Sequence, residues 1–207
     1  MVDVEKIKQL REETGVSFSE VKKALIETEG DIERAKELLR KWGKELAGKK
    51  SSREVRSGMI QSYIHPNKKI GVMLDIRCET DFVAKADDFV SFSHDVCLQI
   101  AAMNPRFISE EDIPDEVLGK EKEIYAEQIK KEEKSADILE KVLLGKIEKY
   151  KKENSLLSQG WVKDNEKTIK NLLEEYIAKL GENIIIKSFV RYEIDGNNSY
   201  CNNNFIF

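Results

Sequence analysis

Residues 3 to 43 repeat apolar positions three and four apart, the spacing that gathers side chains on one face of a helix. Asp3 can cap a first helix carrying Ile7 and Leu10, and Gly15 can end it in the left-handed region. A second helix opens at Ser17, with Glu20 three residues on as a capping box, and turns Val21, Ala24 and Leu25 inward. Gly30 closes it and Asp31 caps a third. That helix turns Ile32, Ala35, Leu38, Leu39 and Trp42 inward and is expected to stop at Gly43. The pattern predicts a compact three-helix bundle.

The periodicity lapses over residues 44–57, which carry Gly48, Ser51, Ser52 and the basic residues Lys44, Lys49, Lys50, Arg53 and Arg56. We read this stretch as a solvated linker rather than a nucleic-acid contact. The period then changes to two. Gly58 to His65 is extended in character, residues 66–69 (PNKK) supply turn chemistry, and Ile70 to Cys78 puts Val72, Leu74 and Ile76 on one face. Helical spacing returns from Asp87 to Met103 with Phe89, Phe92, Val96 and Ile100. Residues 109–134 are densely charged, and Pro114 suits the first turn of a surface helix. Ser135 to Asn154 predicts another helix, using Ile138, Val142, Ile147 and Tyr150. Lys167 to Leu180 predicts a further one, with Ile169, Leu172, Leu173, Tyr176, Ile177 and Leu180 inward and Gly181 as cap. Residues 184–194 (IIIKSFVRYEI) read as the final strand. The fold class is α+β: a three-helix module at 1–43, the linker, and a core at 58–195 in which a small antiparallel sheet packs with helices. The asparagine-rich tail, 196–207, is expected to be disordered.

Charge narrows the function. Lysine plus arginine number 35 against 39 aspartate plus glutamate, so the net charge of -4 disfavours direct nucleic-acid binding and suits a protein partner. The apolar runs are too short to span a bilayer and the N-terminus has no signal-peptide core, so no membrane contact is expected, and the cysteine usage fits a reducing cytoplasm. Cys78, Cys97 and Cys201 are odd in number and widely spaced, so no disulfide framework is expected. His65 and His94 have no clustered partners, and we expect no metal site and no cofactor. No phosphate loop, dinucleotide fingerprint or hydrolase motif occurs, so the chain reads as neither an enzyme nor a GTP binder.

Three segments carry a resemblance. Residues 10–25 (LREETGVSFSEVKKAL) with 30–39 (GDIERAKELL) look like a ubiquitin-associated-type module. Residues 78–85 read CETDFVAK directly after a strand, and residues 180–193 read LGENIIIKSFVRYE. Together, in this order, they resemble the elongation factor Ts family in its short bacterial form. The resemblance implies a nucleotide-exchange factor that binds elongation factor Tu in its GDP-bound and nucleotide-free states. It implies that Thr80, Asp81, Phe82 and Val83 enter the GTPase beside the nucleotide, with Phe82 as an apolar wedge and Asp81 disturbing the network that holds Mg²⁺. Burying one Phe contributes about 1.5–3 kcal/mol. At ~1.4 kcal/mol per decade, one ring supplies about one to two decades of rate.

Spacing by itself leaves another reading open. Thr80 could cap a helix, Asp81 could favour its N-terminus, and Phe82 could be core. Cys78 reads as an inert buried thiol. The alternative function is a ubiquitin-like or nascent-chain binding protein built on the N-terminal module. A core with three strands at most has an open edge, which predicts a two-fold homodimer through residues near Ile184 to Tyr192, with Cys201 close to its symmetry mate. A monomer with covered edges is the other solution.

Overall fold

A computed structural model describes residues 3–129, 136–194, 196 and 199–202. The chain divides into two compact units. One comprises Met1–Met59, Ile76–Ser93 and Asn171–Ile185; the other comprises Ile60–Asp75, His94–Lys170 and Ile186–Phe207.

The first unit opens with the expected bundle. Helix α1 (Val4–Thr14) is capped by Asp3, which accepts from the Glu5 N–H at 3.0 Å, and closed by Gly15 at φ 66°. Helix α2 (Phe18–Glu27) begins at Ser17, where Glu20 N–H donates to Ser17 Oγ at 3.4 Å and the hydroxyl donates to the Glu20 carboxylate at 2.8 Å. Asp31 caps helix α3 (Ile32–Lys50) through the Arg34 N–H at 3.1 Å. Ile7, Leu10, Val21, Ala24, Leu25, Ala35 and Leu39 form the core, with Val16, Ile32, Leu38 and Trp42 packed against it.

Helix α3 corrects one expectation. It does not stop at Gly43 but continues through Lys50, so the first half of the expected 44–57 linker is helical. Gly43 is a buried helical residue, and a Cβ built on it would lie 3.6 Å from the Ala178 Cβ. The residues after it, Lys44 to Ala47, are good helix formers and carry the helix past the glycine. Ala47 and Lys50 are buried on this extension.

Strand β1 (Ser57–Ile64) and strand β2 (Ile70–Cys78) follow, then a single helical turn α4 (Asp81–Ala84) and helix α5 (Asp87–Met103). Val72, Leu74 and Ile76 are buried as the alternation required, and so are Phe89, Phe92, Val96 and Ile100 of α5. Helix α6 (Asp115–Ile129) and helix α7 (Ala136–Asn154) pack together, with Lys146 over the Tyr125 ring at 5.2 Å. The Pro114 carbonyl accepts from Val117 and Leu118, so proline stands just outside α6. Ile147 and Tyr150 of α7 are buried and Ile138 is exposed, while Ser135 lies outside the described residues.

After a 3-10 turn (Leu156–Ser158) comes a hairpin without an apolar alternation to announce it, strands β3 (Gly160–Trp161) and β4 (Asp164–Thr168). The buried Gln99 amide anchors it, accepting from Val162 N–H at 2.9 Å and donating to the Gly160 carbonyl at 3.0 Å. Helix α8 (Ile169–Leu180) ends at Gly181 with φ 75°, and strand β5 (Ile184–Glu193) follows.

The tail supplies a second correction. Residues Ser199–Asn202, expected to be disordered, form strand β6, antiparallel to β5 with Phe189 opposite Cys201 and Arg191 opposite Ser199. Cys201 is buried, which gives the strand an apolar anchor that the asparagine-rich composition hid. The main sheet runs β1-β2-β5-β6, so β5 is interior and not the expected open edge. Asp195, Asn197, Asn198 and residues 203–207 lie outside the described residues. Among those described, no helix is long and apolar enough to cross a membrane.

Gly43→Ala is expected to stabilise the protein by about 0.5–1 kcal/mol, because alanine lowers the helical entropy cost and its methyl finds ordinary contact distance. The urea midpoint should rise with an unchanged slope; a lower midpoint would show that α3 and α8 cannot admit a methyl.

Candidate functional site

The segment after β2 turns at once. Thr80 has extended backbone angles (φ -124°, ψ 158°), and its Oγ accepts from the Val83 N–H at 3.4 Å, which makes it the cap of α4. Asp81 stands in the first turn, where the helix dipole favours a carboxylate. Lys85 reaches it at 3.1 Å, and that hydrogen bond holds the Asp81 carboxyl below the usual carboxylate range. Both side chains are exposed, so this pair does little for stability.

One turn of helix has too few internal hydrogen bonds to hold itself. Its anchor comes from the far end of α8. The Glu182 carboxylate accepts the Thr80 backbone N–H at 2.9 Å on one oxygen and the Thr80 hydroxyl at 2.6 Å on the other. Its neighbours are fixed in turn. Lys50 Nζ donates to the Gly181 carbonyl. Asn183 donates its backbone N–H to Glu79 at 2.7 Å and its side-chain amide to the Arg53 carbonyl at 2.9 Å. Arg53 also pairs with Glu79 at 3.6 Å.

These contacts sort the four expected site residues. Phe82 is 82% exposed, so the reading of it as core is excluded. Asp81 is exposed beside it. Val83 is only 6% exposed and faces inward, tying the turn down. Thr80 lies at the surface, yet its N–H and hydroxyl are both engaged by Glu182. Glu79, Glu182 and Asn183 were not singled out by sequence. Residues 181–183 read locally as a helix cap before a strand, and nothing near them in the chain signals a contact across 102 positions.

The thiols are closed off. Burial, together with the nearby Glu182 carboxylate, pushes Cys78 up to about 11. Burial pushes Cys97 up to about 12 and Cys201 up to about 11. Cys78 Sγ donates to the Thr80 carbonyl at 3.1 Å, another tie on the turn. Among the described residues, no group of three or more His, Cys, Asp or Glu side chains is placed to hold a metal ion.

Comparison with known proteins matches residues 3–196 to the family Elongation factor TS. Elongation factor Ts of Caldanaerobacter subterraneus subsp. tengcongensis is 48% identical over 193 residues, covering 93% of this chain and 96% of that protein. Elongation factor Ts of Thermosipho melanesiensis is 46% identical, covering 94% and 99%. Elongation factor Ts of Moorella thermoacetica is 44% identical, covering 94% and 96%.

Raised thiol pKa values predict slow reaction of the native protein with a disulfide-exchange dye at pH 8 and fast reaction of all three cysteines after denaturation. The sign for stability follows from linkage. An acid whose folded pKa lies above its ordinary value of 9.0 contributes stability below pH 9 that is lost as pH rises towards the folded value, about 12 for Cys97. Alkaline unfolding should therefore move to higher pH in Cys97→Ala, which removes one thiol buried against ionisation; an unmoved transition would contradict the assigned cause.

Proposed function

The chain belongs to the elongation factor Ts family, and we propose that it binds elongation factor Tu carrying GDP and promotes release of the nucleotide so that GTP can bind. It acts as a partner protein in translation elongation, in the cytoplasm, and itself makes and breaks no covalent bond. The observation that carries the reading is an aromatic ring, Phe82, held 82% exposed on a turn that is pinned from below. Solvent-exposed rings are ordinary one at a time. A ring on a fixed single turn, inside the segment that carries the resemblance, has the form of an insert for another protein's pocket.

In this reading Phe82 enters the GTPase beside the nucleotide and Asp81 disturbs the network around Mg²⁺. Grip on the nucleotide in such GTPases depends on the phosphate loop and on Mg²⁺ bridging phosphate oxygens. Disturbing the metal weakens that grip. The coupling is reciprocal: nucleotide weakens the factor's own binding to the same extent, so incoming GTP displaces it. The N-terminal helices serve as a docking module for the same partner.

The homodimer belongs to the same proposal in altered form. Ile60, Ile64, Met73 and Tyr192 are exposed on β1, β2 and the end of β5, with Ile194 just past it, and that apolar surface replaces the expected β5 edge as the contact between two copies. Light scattering at micromolar concentration should give twice the monomer mass, and a monomer mass would remove this part.

Release of fluorescent GDP from elongation factor Tu tests the main reading. Wild-type protein should accelerate release. Phe82→Ala should cut the acceleration by about one to two decades, with the thermal midpoint unchanged because the ring packs in no core. Asp81→Ala should slow release in a way that varies with Mg²⁺ concentration. No acceleration by the wild type would end the proposal, and an Asp81→Ala deficit equal at all Mg²⁺ levels would remove its metal role.

A further inference from the structure

We propose that Glu182 is a positioning residue for exchange, holding the 80–83 turn through Thr80 so that Phe82 and Asp81 face the partner. This rests on the exchange reading above.

Besides the Cys78 thiol on the Thr80 carbonyl, four ties hold the turn, and they differ in strength. The Thr80 cap on Val83 is long at 3.4 Å, and the Asp81–Lys85 pair is exposed and screened. Val83 is buried but non-directional, so it fixes depth more than orientation. The Glu182 fork is short, charge-assisted and two-pronged, at 2.6 and 2.9 Å, and only such a contact fixes rotation as well as distance. Its grip on the backbone N–H of Thr80 lies two residues before the ring. A pivot there would swing Phe82 through a large arc.

Glu182 is itself held to be an orienting group. Gly181 precedes it with its carbonyl taken by Lys50, and Asn183 follows it with three hydrogen bonds, to Glu79, Ser51 and Arg53. Both carboxylate oxygens receive a donor from Thr80, one from its backbone and one from its side chain. Thr80 thereby changes role, from a contact residue to the hinge that Glu182 locks.

The test uses the full chain and elongation factor Tu loaded with fluorescent GDP, with the release rate followed against factor concentration. Glu182→Ala should lower the plateau rate about tenfold, ~1.4 kcal/mol, with a smaller change in the half-saturating concentration. Glu182→Gln, which keeps one acceptor, should fall between Ala and wild type. Adding Glu182→Ala to Phe82→Ala should slow release by no more than about twofold, since residues acting through one another are not additive.

A variant that merely unfolds lowers the amount of competent factor, which raises the half-saturating concentration and spares the plateau. That pattern would overturn the proposal, and so would losses that multiply in the double variant. Amide hydrogen exchange on the free protein reads the hold directly. The Thr80 and Val83 amides should exchange about tenfold faster in Glu182→Ala, with α1–α3 unchanged; unaltered protection would overturn the proposal by itself. If Phe82→Ala releases GDP at the wild-type rate while those amides still respond, the wedge reading fails and the hold of Glu182 on the turn survives.

Discussion

The bidentate bond between Glu182 and Thr80 joins two segments 102 residues apart, and the exposed turn depends on it. Helix nucleation is unfavourable, because several dihedrals are fixed before many hydrogen bonds form. A four-residue helix standing at the end of a strand has no length over which to recover that cost. Its geometry has to be imposed from outside. The imposing group sits where α8 gives way to β5, a junction fixed by the left-handed Gly181 and by Lys50 from the end of α3. The extension of α3 beyond Gly43 thus serves the site: it carries Lys50 to the Gly181 carbonyl, and Ser51 and Arg53 beyond it to the Asn183 amide.

Much of this fold was legible because apolar periodicity and capping chemistry agreed. Asp3, Ser17 and Asp31 cap the helices they were expected to cap, and the stripes on α5 and β2 are buried as spaced. Gly43 misled because glycine has two uses. At Gly15 and Gly181 it takes a positive φ that other residues resist, and there it ends a helix. At Gly43 it sits within one, buried close to Ala178. Sequence spacing does not separate the two, since the distinction lies in Ala178, a neighbour far along the chain.

What stayed hidden was held by contacts that leave no period. The β3–β4 hairpin is anchored by Gln99, a polar side chain from another element, and its strands are too short to alternate. Strand β6 is read as tail by composition, yet it has a neighbour to pair with and one buried thiol to anchor it. The site shows the same division. Its presenting residues lie together in sequence, whereas Glu182 and Asn183 belong to it only through the fold.

The arrangement also separates function from stability. A phenylalanine left in water forgoes about 1.5–3 kcal/mol that burial would contribute. The protein tolerates this because Phe89 and Phe92, a few residues on, are fully buried, and Phe92 stacks on Tyr176 at 4.7 Å. Within one short stretch the chain keeps one ring out and two in, and the switch is made by the turn at Thr80 and the buried Val83 between them. A ring on a loose loop would lose part of its binding free energy to ordering when it met a pocket. Held in advance by a carboxylate and a buried valine, it has less freedom to lose. Free energy left unused in the isolated protein then remains available to any complex that buries the ring.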